Sequence, residues 1–342
     1  MNSLEAWLAK LNKPQANKTK SSLARVKQIA EALELLPVTY KTIVIAGTNG
    51  KGTSAHLLAA IYKYSGFKTG LYTSPHLLRF NERIVVDHDE ITDAALVQAF
   101  EAISAIKGAE QLNYYEYTTL AALYYFRKTK VDVAILEVGI GGRLDACNIV
   151  DATLAVITNV DLDHTEWLGE DREKISLEKA GVMRKNTPAV CGDLDCPQPI
   201  IDYAAKLNAP LFKQQQDFFA LVGHDSWEWR CLDEIYALLP IPQMPVQNAA
   251  TVLMSIRCLK KYLPVSREAI DRALLTTRVS GRYQVFQLKC PVILDVAHNV
   301  SAANWLAERL KSTPCEGRTI GVFSALNDKD VVGIIHQIEP IV

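Results

Sequence analysis

The chain carries no marked excess of charge of either sign, no CxxC cysteine pair, no long apolar run and no internal repeat or low-complexity segment. With 37 Lys plus Arg against 38 Asp plus Glu over 342 residues, nothing draws the molecule as a whole toward nucleic acid or an anionic membrane surface, so any anionic ligand must be met locally. The seven cysteines, at 147, 191, 196, 231, 258, 290 and 315, include no CxxC motif and fall mostly in apolar or helical stretches. A thiol there behaves as a small hydrophobe, and all seven are read as reduced and structural. No window approaches the roughly 18 apolar residues of a membrane span. The opening segment MNSLEAWLAKLNKPQ lacks the apolar stretch and small-residue cleavage site of a signal peptide. The expected location is the cytoplasm.

What the chain does have is a core-forming composition, 49% apolar and 22% charged, and enough length for two domains. After an amphipathic helix and a second one from about Ser22 to Leu36 comes KTIVIAGTNGKGTSAHLLAAIYKYSG, a β-branched run, a glycine turn and then apolar residues at helical spacing. TGLYTS reads as a further strand, Asp93 to Ile106 and Thr118 to Arg127 as helices, and VDVAILEVG and ATLAVITNV as two strands apolar throughout. Continuous Val/Ile/Leu strands alternating with helices predict a parallel sheet covered on both faces. From Ala189 to Leu239 the pattern becomes one of small strands, rich in tryptophan at 227 and 229, and points to no function. Gln247 to Tyr262 reads as a helix. A boundary falls near Ser280 to Tyr283, giving domains 1–283 and 284–342, and VILDVAH, a helix, RTIGVFSAL and a last helix then restart the α/β alternation.

Gly47-Thr48-Asn49-Gly50-Lys51-Gly52-Thr53 lies between a strand and a helix and has the parts of a polyphosphate site. Glycines let backbone N–H groups turn toward the anion, the helix presents its positive end, Lys51 reaches the terminal phosphates and the Thr53 hydroxyl can hold Mg²⁺. It departs from the standard phosphate-loop spacing, because only two residues separate Gly47 from Gly50 and Gly52 separates Lys51 from Thr53. Ligands of open α/β sheets sit at the carboxyl ends of the strands, which singles out Ser74, Glu137, Asp161, Asp163 and His164. A lone histidine is more often an ordinary hydrogen-bonded one. Beside Glu137 and a phosphate loop, however, hard oxygen donors and a metal are expected at this edge. In DREKISLEKAGVMR, Lys179 reads from residue physics alone as part of a solvated charged face, and GGRLDACN as either a tight turn or, through Arg143 and Asp145, a substrate contact. A guanine-nucleotide switch would need Asn-Lys-x-Asp after an apolar strand; Asn327-Asp328-Lys329-Asp330 does not supply it.

GTNGKGT, TSPHL, EVGIGGRLDACN, DHT, EKAG, QNAAT, SGR and DVAHN occur in that order, and together they resemble the folylpolyglutamate synthase/dihydrofolate synthase family of Mur-type ligases, most closely the bifunctional bacterial form. The resemblance implies a parallel-sheet P-loop ATPase domain plus a C-terminal Rossmann-like α/β domain. It implies an ATP-dependent ligase that joins L-glutamate to dihydropteroate and extends folates. Asn49, Gly50, Lys51, Gly52, Thr53, Asn248, Arg282 and Asp295 would bind ATP, with His298 near them. Thr53, Ser74, Glu137 and His164 would hold two Mg²⁺ ions, and Lys179 would be carried as a carbamate, against its bland reading. Lys51, Lys179 and His298 are the catalytic candidates. Asn113, Tyr114, Tyr115 and Glu116, with Leu144, Asp145 and Ala146, match pterin-binding segments. A monovalent cation is a further candidate ligand, and a monomer is implied, with neither a nucleic-acid nor a membrane partner.

Three departures from the family pattern stand out. Lys20-Ser21-Ser22 replaces an Asp-Leu-Gly-like stretch, and Val300 replaces a proline. The chain also closes after about two βα units of the second domain, so a truncated second domain with impaired glutamate binding is an expectation. Peptidoglycan ligases with UDP-linked substrates are the nearest alternative, disfavoured by GTNGKGT and by the pterin segments. A synthase limited to polyglutamylation and a binding-only fragment are the others.

Overall fold

The computed structural model describes residues 3–12, 22–163, 165–313, 315–327 and 329–342. Lys20 and Ser21 of the departing stretch lie outside the described residues. The chain divides into two compact units, residues 1–242 with 246–277, and residues 243–245 with 278–342.

The first unit is built on a sheet of eight strands: β1 (Lys41–Ala46), β2 (Thr69–Tyr72), β3 (Ile84–Val86), β4 (Asp89–Glu90), β5 (Val133–Glu137), β6 (Leu154–Ile157), β7 (Ala189–Cys191) and β8 (Leu211–Lys213). Their spatial order is β4-β3-β2-β5-β1-β6-β7-β8. The six strands from β2 to β8 run parallel, whereas β3 and β4 fold back antiparallel at one edge. β1, β5 and β6 are buried almost throughout, as expected for a parallel sheet covered on both faces. The antiparallel edge was not anticipated, because Ile84–Val86 is too short to give a period-2 signal.

A second sheet of three antiparallel strands, β9 (Phe218–Val222), β10 (Ser226–Cys231) and β11 (Glu234–Pro240), accounts for the tryptophan-rich stretch. Trp227 and Trp229 are fully buried, and the Trp229 indole N–H donates to the Ala250 carbonyl at 3.1 Å. Ala250 lies on the helix Val246–Leu259, so the small sheet buttresses that helix.

In the second unit, β12 (Gln284–Gln287) pairs antiparallel with β13 (Pro291–Leu294). Helices Val300–Lys311 and Val331–Ile338 follow. RTIGVFSAL, expected as a strand, has no ladder partner among the described residues, and its Val322 is 98% exposed. An apolar run becomes a strand only where another backbone edge meets it, and β13 is paired with β12 instead. Val300 is the first residue of its helix, capped by Asn299, whose Oδ1 accepts the Ala302 N–H at 3.0 Å. Proline is favoured at that position but not required, since its N–H has no intrahelical partner.

Candidate functional site

The phosphate loop joins β1 to the helix Lys51–Tyr64. Gly50, at φ 80°, stands in the left-handed region, and a Cβ there would lie 2.5 Å from the Asn248 amide nitrogen. The exit of β6 fastens the loop. Thr48 N–H donates to the Asn159 carbonyl at 3.0 Å, Asn49 N–H to Asn159 Oδ1 at 2.8 Å, and the Thr158 hydroxyl to the Asn49 carbonyl at 2.6 Å. Lys51 Nζ donates to the carbonyls of Gly47 and Thr48 at 2.9 and 3.0 Å, which places the ammonium at the loop itself.

The Thr53 hydroxyl, one turn into the helix, donates to the Gly50 carbonyl at 2.9 Å and accepts from the Asn248 amide at 3.2 Å. The Glu137 carboxylate projects from the end of β5, accepting the Ser74 N–H at 3.0 Å and lying 3.4 Å from where a Gly52 Cβ would be. Any larger residue at 52 would crowd that carboxylate. Asn49, Gly50, Lys51, Gly52, Thr53, Ser74, Glu137 and Asn248 are thus gathered at the carboxyl edge of the sheet. His164 lies outside the described residues.

Lys179 sits near the end of helix Arg172–Ala180 and is 2% exposed. This overturns the solvated-face reading, whose charge pattern could not show that the helix packs against the loop after β5. Arg143 N–H donates to the Glu178 carbonyl at 2.8 Å, and a Cβ on Gly142 would lie 2.8 Å from that same carbonyl oxygen. Burial, and then the charge of Lys51, push the Lys179 amine down to about 7, with Asp163 opposing. A lysine brought so low is partly neutral near physiological pH.

The segment Asn113–Glu116 opens the helix Tyr114–Thr129. Asn113 Oδ1 accepts the Glu116 N–H and a Glu116 carboxylate oxygen accepts the Asn113 N–H, each at 2.9 Å, a reciprocal cap that occupies both side chains. Tyr115 OH donates to the Glu137 carbonyl at 3.2 Å and reaches Asp145 at 3.4 Å. Asp145 accepts N–H bonds from Gly139 at 2.9 Å and Cys147 at 2.8 Å. Burial nonetheless pushes its carboxyl up to about 6, and burial followed by Asp145 raises the Tyr115 phenol. Asp145 and Tyr115 therefore shape the loop between β5 and Ala146, which is itself buried, while Leu144 is half exposed on it.

Sequence reasoning passed over Arg83, which is buried with its guanidinium over the rings of Phe80 and Tyr114 and its Nε donating to His76 Nδ1 at 2.8 Å. Both His76 and Arg83 stand in TSPHLLRFNERI, seven residues apart. In the second unit, Asp295 accepts the N–H groups of Tyr283 and Ala297, both at 2.7 Å, and His298 Nδ1 lies 3.0 Å from the Val296 carbonyl. Arg282 N–H donates to the Val279 carbonyl at 3.1 Å.

A glycine loop between strand and helix, with a lysine, a threonine and a carboxylate from the neighbouring strand, defines a nucleotide-dependent enzyme of the P-loop class. Within that class, the family model for the Mur ligase middle domain matches residues 45–195. A dihydrofolate synthase/folylpolyglutamate synthase of Haemophilus influenzae is 40% identical over 99% of this chain and 81% of its own length. The Escherichia coli FolC structure in complex with DHPP and ADP covers 100% of this chain and 82% of its own, at 39% identity and a TM-score of 0.95. A bifunctional folylpolyglutamate synthase/dihydrofolate synthase solved with Mn, AMPPNP and L-glutamate bound does the same at 43% identity and a TM-score of 0.93. The chain belongs to the dihydrofolate synthase/folylpolyglutamate synthase family.

Proposed function

We propose that this protein uses ATP to join L-glutamate to dihydropteroate, forming dihydrofolate, and to the γ-carboxylate of folates, extending the glutamate tail. The observation that carries this reading is the phosphate loop with Glu137 and Ser74 beside it, in a chain whose relatives of that name match almost its whole length.

A carboxylate does not condense with an amine until its oxygen becomes a leaving group. The acceptor carboxylate attacks the γ-phosphorus of ATP and ADP departs; the glutamate amine then attacks the acyl phosphate carbon, loses a proton and expels phosphate. Phosphoryl transfer of this kind demands positioning and charge neutralisation. Lys51 supplies positive charge at the loop, and the N-terminus of helix Lys51–Tyr64 adds its dipole. Asn248 orients Thr53, and nucleotide contacts are assigned to Asn248, Arg282 and Asp295.

The hydroxyl and carboxylate oxygens of Thr53, Ser74 and Glu137 are the hard donors that suit Mg²⁺, with His164 as a further ligand. Bound there, Mg²⁺ would neutralise charge on the transferring phosphoryl group. The Lys179 amine, low enough to be free near neutral pH, is suited to react with CO₂. The nitrogen of the neutral amine bonds to the carbon and releases one proton, leaving an anion in place of an uncharged amine beside Lys51. Tyr114, Tyr115 and Leu144 to Ala146 are assigned to the pterin side, with a monomer working in the cytoplasm as the setting.

Mass spectrometry of the product tests the reading. Incubation with ATP, Mg²⁺, L-glutamate and dihydropteroate is expected to add one glutamyl residue, and a second arm with a reduced folate is expected to lengthen its tail. ATP turnover with neither product would contradict it, and extension of the folate alone would restrict the chain to polyglutamylation.

A further inference from the structure

Arg172 and Asp193 were given no role by the sequence, yet between them they hold both backbone groups of one residue at the edge of the nucleotide site. Asp193, two residues past β7, accepts the Val160 N–H at 2.7 Å on one carboxylate oxygen. The other oxygen accepts Arg172 Nη2 at 2.7 Å and the Asp195 N–H at 3.0 Å. Arg172, the first residue of the Lys179 helix, donates from Nε to the Val160 carbonyl at 3.0 Å and from Nη2 to the Asp195 carbonyl at 2.7 Å. The next residue, Asp161, exchanges two bonds with the Thr48 hydroxyl of the phosphate loop, at 3.0 and 3.1 Å. The Asp193 side chain is only 9% exposed and that of Arg172 34%. The pair is thus a part-buried, charge-assisted link rather than a surface contact of negligible worth.

We infer that Arg172 and Asp193 are positioning residues for the ligase reaction: their clasp on Val160 sets the Asn159–Asp163 strand exit, and through it the phosphate loop, in register with the helix that carries Lys179. No other side chain bonds the Val160 backbone in the contacts described, so loss of Asp193 leaves a buried N–H unpaired and the Arg172 charge with only the exposed Asp195 carboxylate, which accepts Nη1 at 3.2 Å. The displacement falls on Thr48 and Asn49, which Asn159 fastens in the phosphate loop, and on the spacing between Lys51 and Lys179. The pair touches no reacting atom.

The kinetic readout rests on the ligase reading; nucleotide affinity does not. Binding of a non-hydrolysable ATP analogue with Mg²⁺, melting temperature, and the KM values for ATP and L-glutamate are measured for the wild type, Asp193→Asn, Asp193→Glu and Arg172→Lys. Asp193→Asn is expected to weaken analogue binding and raise the KM for ATP about tenfold to a hundredfold, as losses in a supporting shell do, with the KM for glutamate within about twofold. Asp193→Glu is expected to recover part of the loss. Arg172→Lys keeps the charge but loses the fork, and is expected to fall between; it also carries the test if Asp193→Asn does not fold. Unchanged ATP affinity, with activity falling only as the folded fraction falls, would overturn the inference. A wild type that binds the analogue but shows turnover with neither dihydropteroate nor a reduced folate would overturn the ligase reading and leave this one standing.

Discussion

Lys179 makes the clearest demand at the scale of single residues. Its folded pKa of about 7 lies below the ordinary lysine value of 10.5, so the unfolded chain binds the extra proton. The resulting penalty on folding is full below pH 7 and fades as pH climbs from there toward 10.5. Lys179→Met removes the penalty. In CO₂-free buffer the variant is expected to melt above the wild type, by a larger margin at pH 6 than at pH 9, while losing ligase turnover. A margin that does not depend on pH would mean that the lysine is not buried as a strained cation. Asp145 carries the opposite sign. Its carboxyl, raised to about 6 from 3.8, favours the folded state most below pH 3.8, an advantage lost as pH rises through 6. Asp145→Asn is therefore expected to flatten the stability profile between pH 4 and 6, as read by urea unfolding at each pH.

The element that organises the site is the strand–loop–helix from β1 to Tyr64. Gly50→Ala places a Cβ at a left-handed position and 2.5 Å from the Asn248 side chain. The variant is expected to lose about 1–3 kcal/mol of stability together with nucleotide affinity, measured by denaturant unfolding and analogue binding. Full stability and affinity in Gly50→Ala would show that the loop tolerates another path. The small antiparallel sheet, opaque in the sequence, acquires a role through Trp229. Because that indole supports the helix bearing Asn248, Trp229→Ala is expected to cost about 3–5 kcal/mol, and a loss under 1 kcal/mol would remove the buttress from the account.

Legibility also varies by element. GTNGKGT was readable because its glycines, lysine and threonine each have a separate physical task at fixed spacing. Ser74 and Glu137 were readable because strand ends are where α/β sheets place ligands. The burial of Lys179 was not, since it depends on Gly142 admitting a helix carbonyl from 36 residues further along the chain, and periodicity reports nothing about such approaches. Arg172 and Asp193 were passed over for the same reason, since they meet each other and Val160 across 12 to 33 residues of chain. The edge strands β3 and β4 were missed because two or three residues carry no period.

The whole molecule consists of two units of unequal size, and the chain spans about four-fifths of its relatives' length. Seven of the eight strands in the large sheet lie within the residues matched by the Mur ligase middle domain or directly before them, and the phosphate loop stands at its centre. The second unit exposes Ile320, Val322 and Leu326. Exposed apolar side chains favour self-association, so Val322→Ser is expected to reduce aggregation on concentration while moving stability by no more than about 0.5 kcal/mol. Light scattering and a melting curve on the same sample check both parts.

The central claim is that this site activates a pterin-linked carboxylate for attack by glutamate. Phosphate release by the purified 342-residue chain, with ATP, Mg²⁺ and bicarbonate, tests it most directly when dihydropteroate and L-glutamate are added singly and together, beside Lys51→Ala. The account predicts steady release only with both substrates present, falling at least about a hundredfold in the variant. Release that ignores dihydropteroate, or that survives the loss of Lys51, would contradict it.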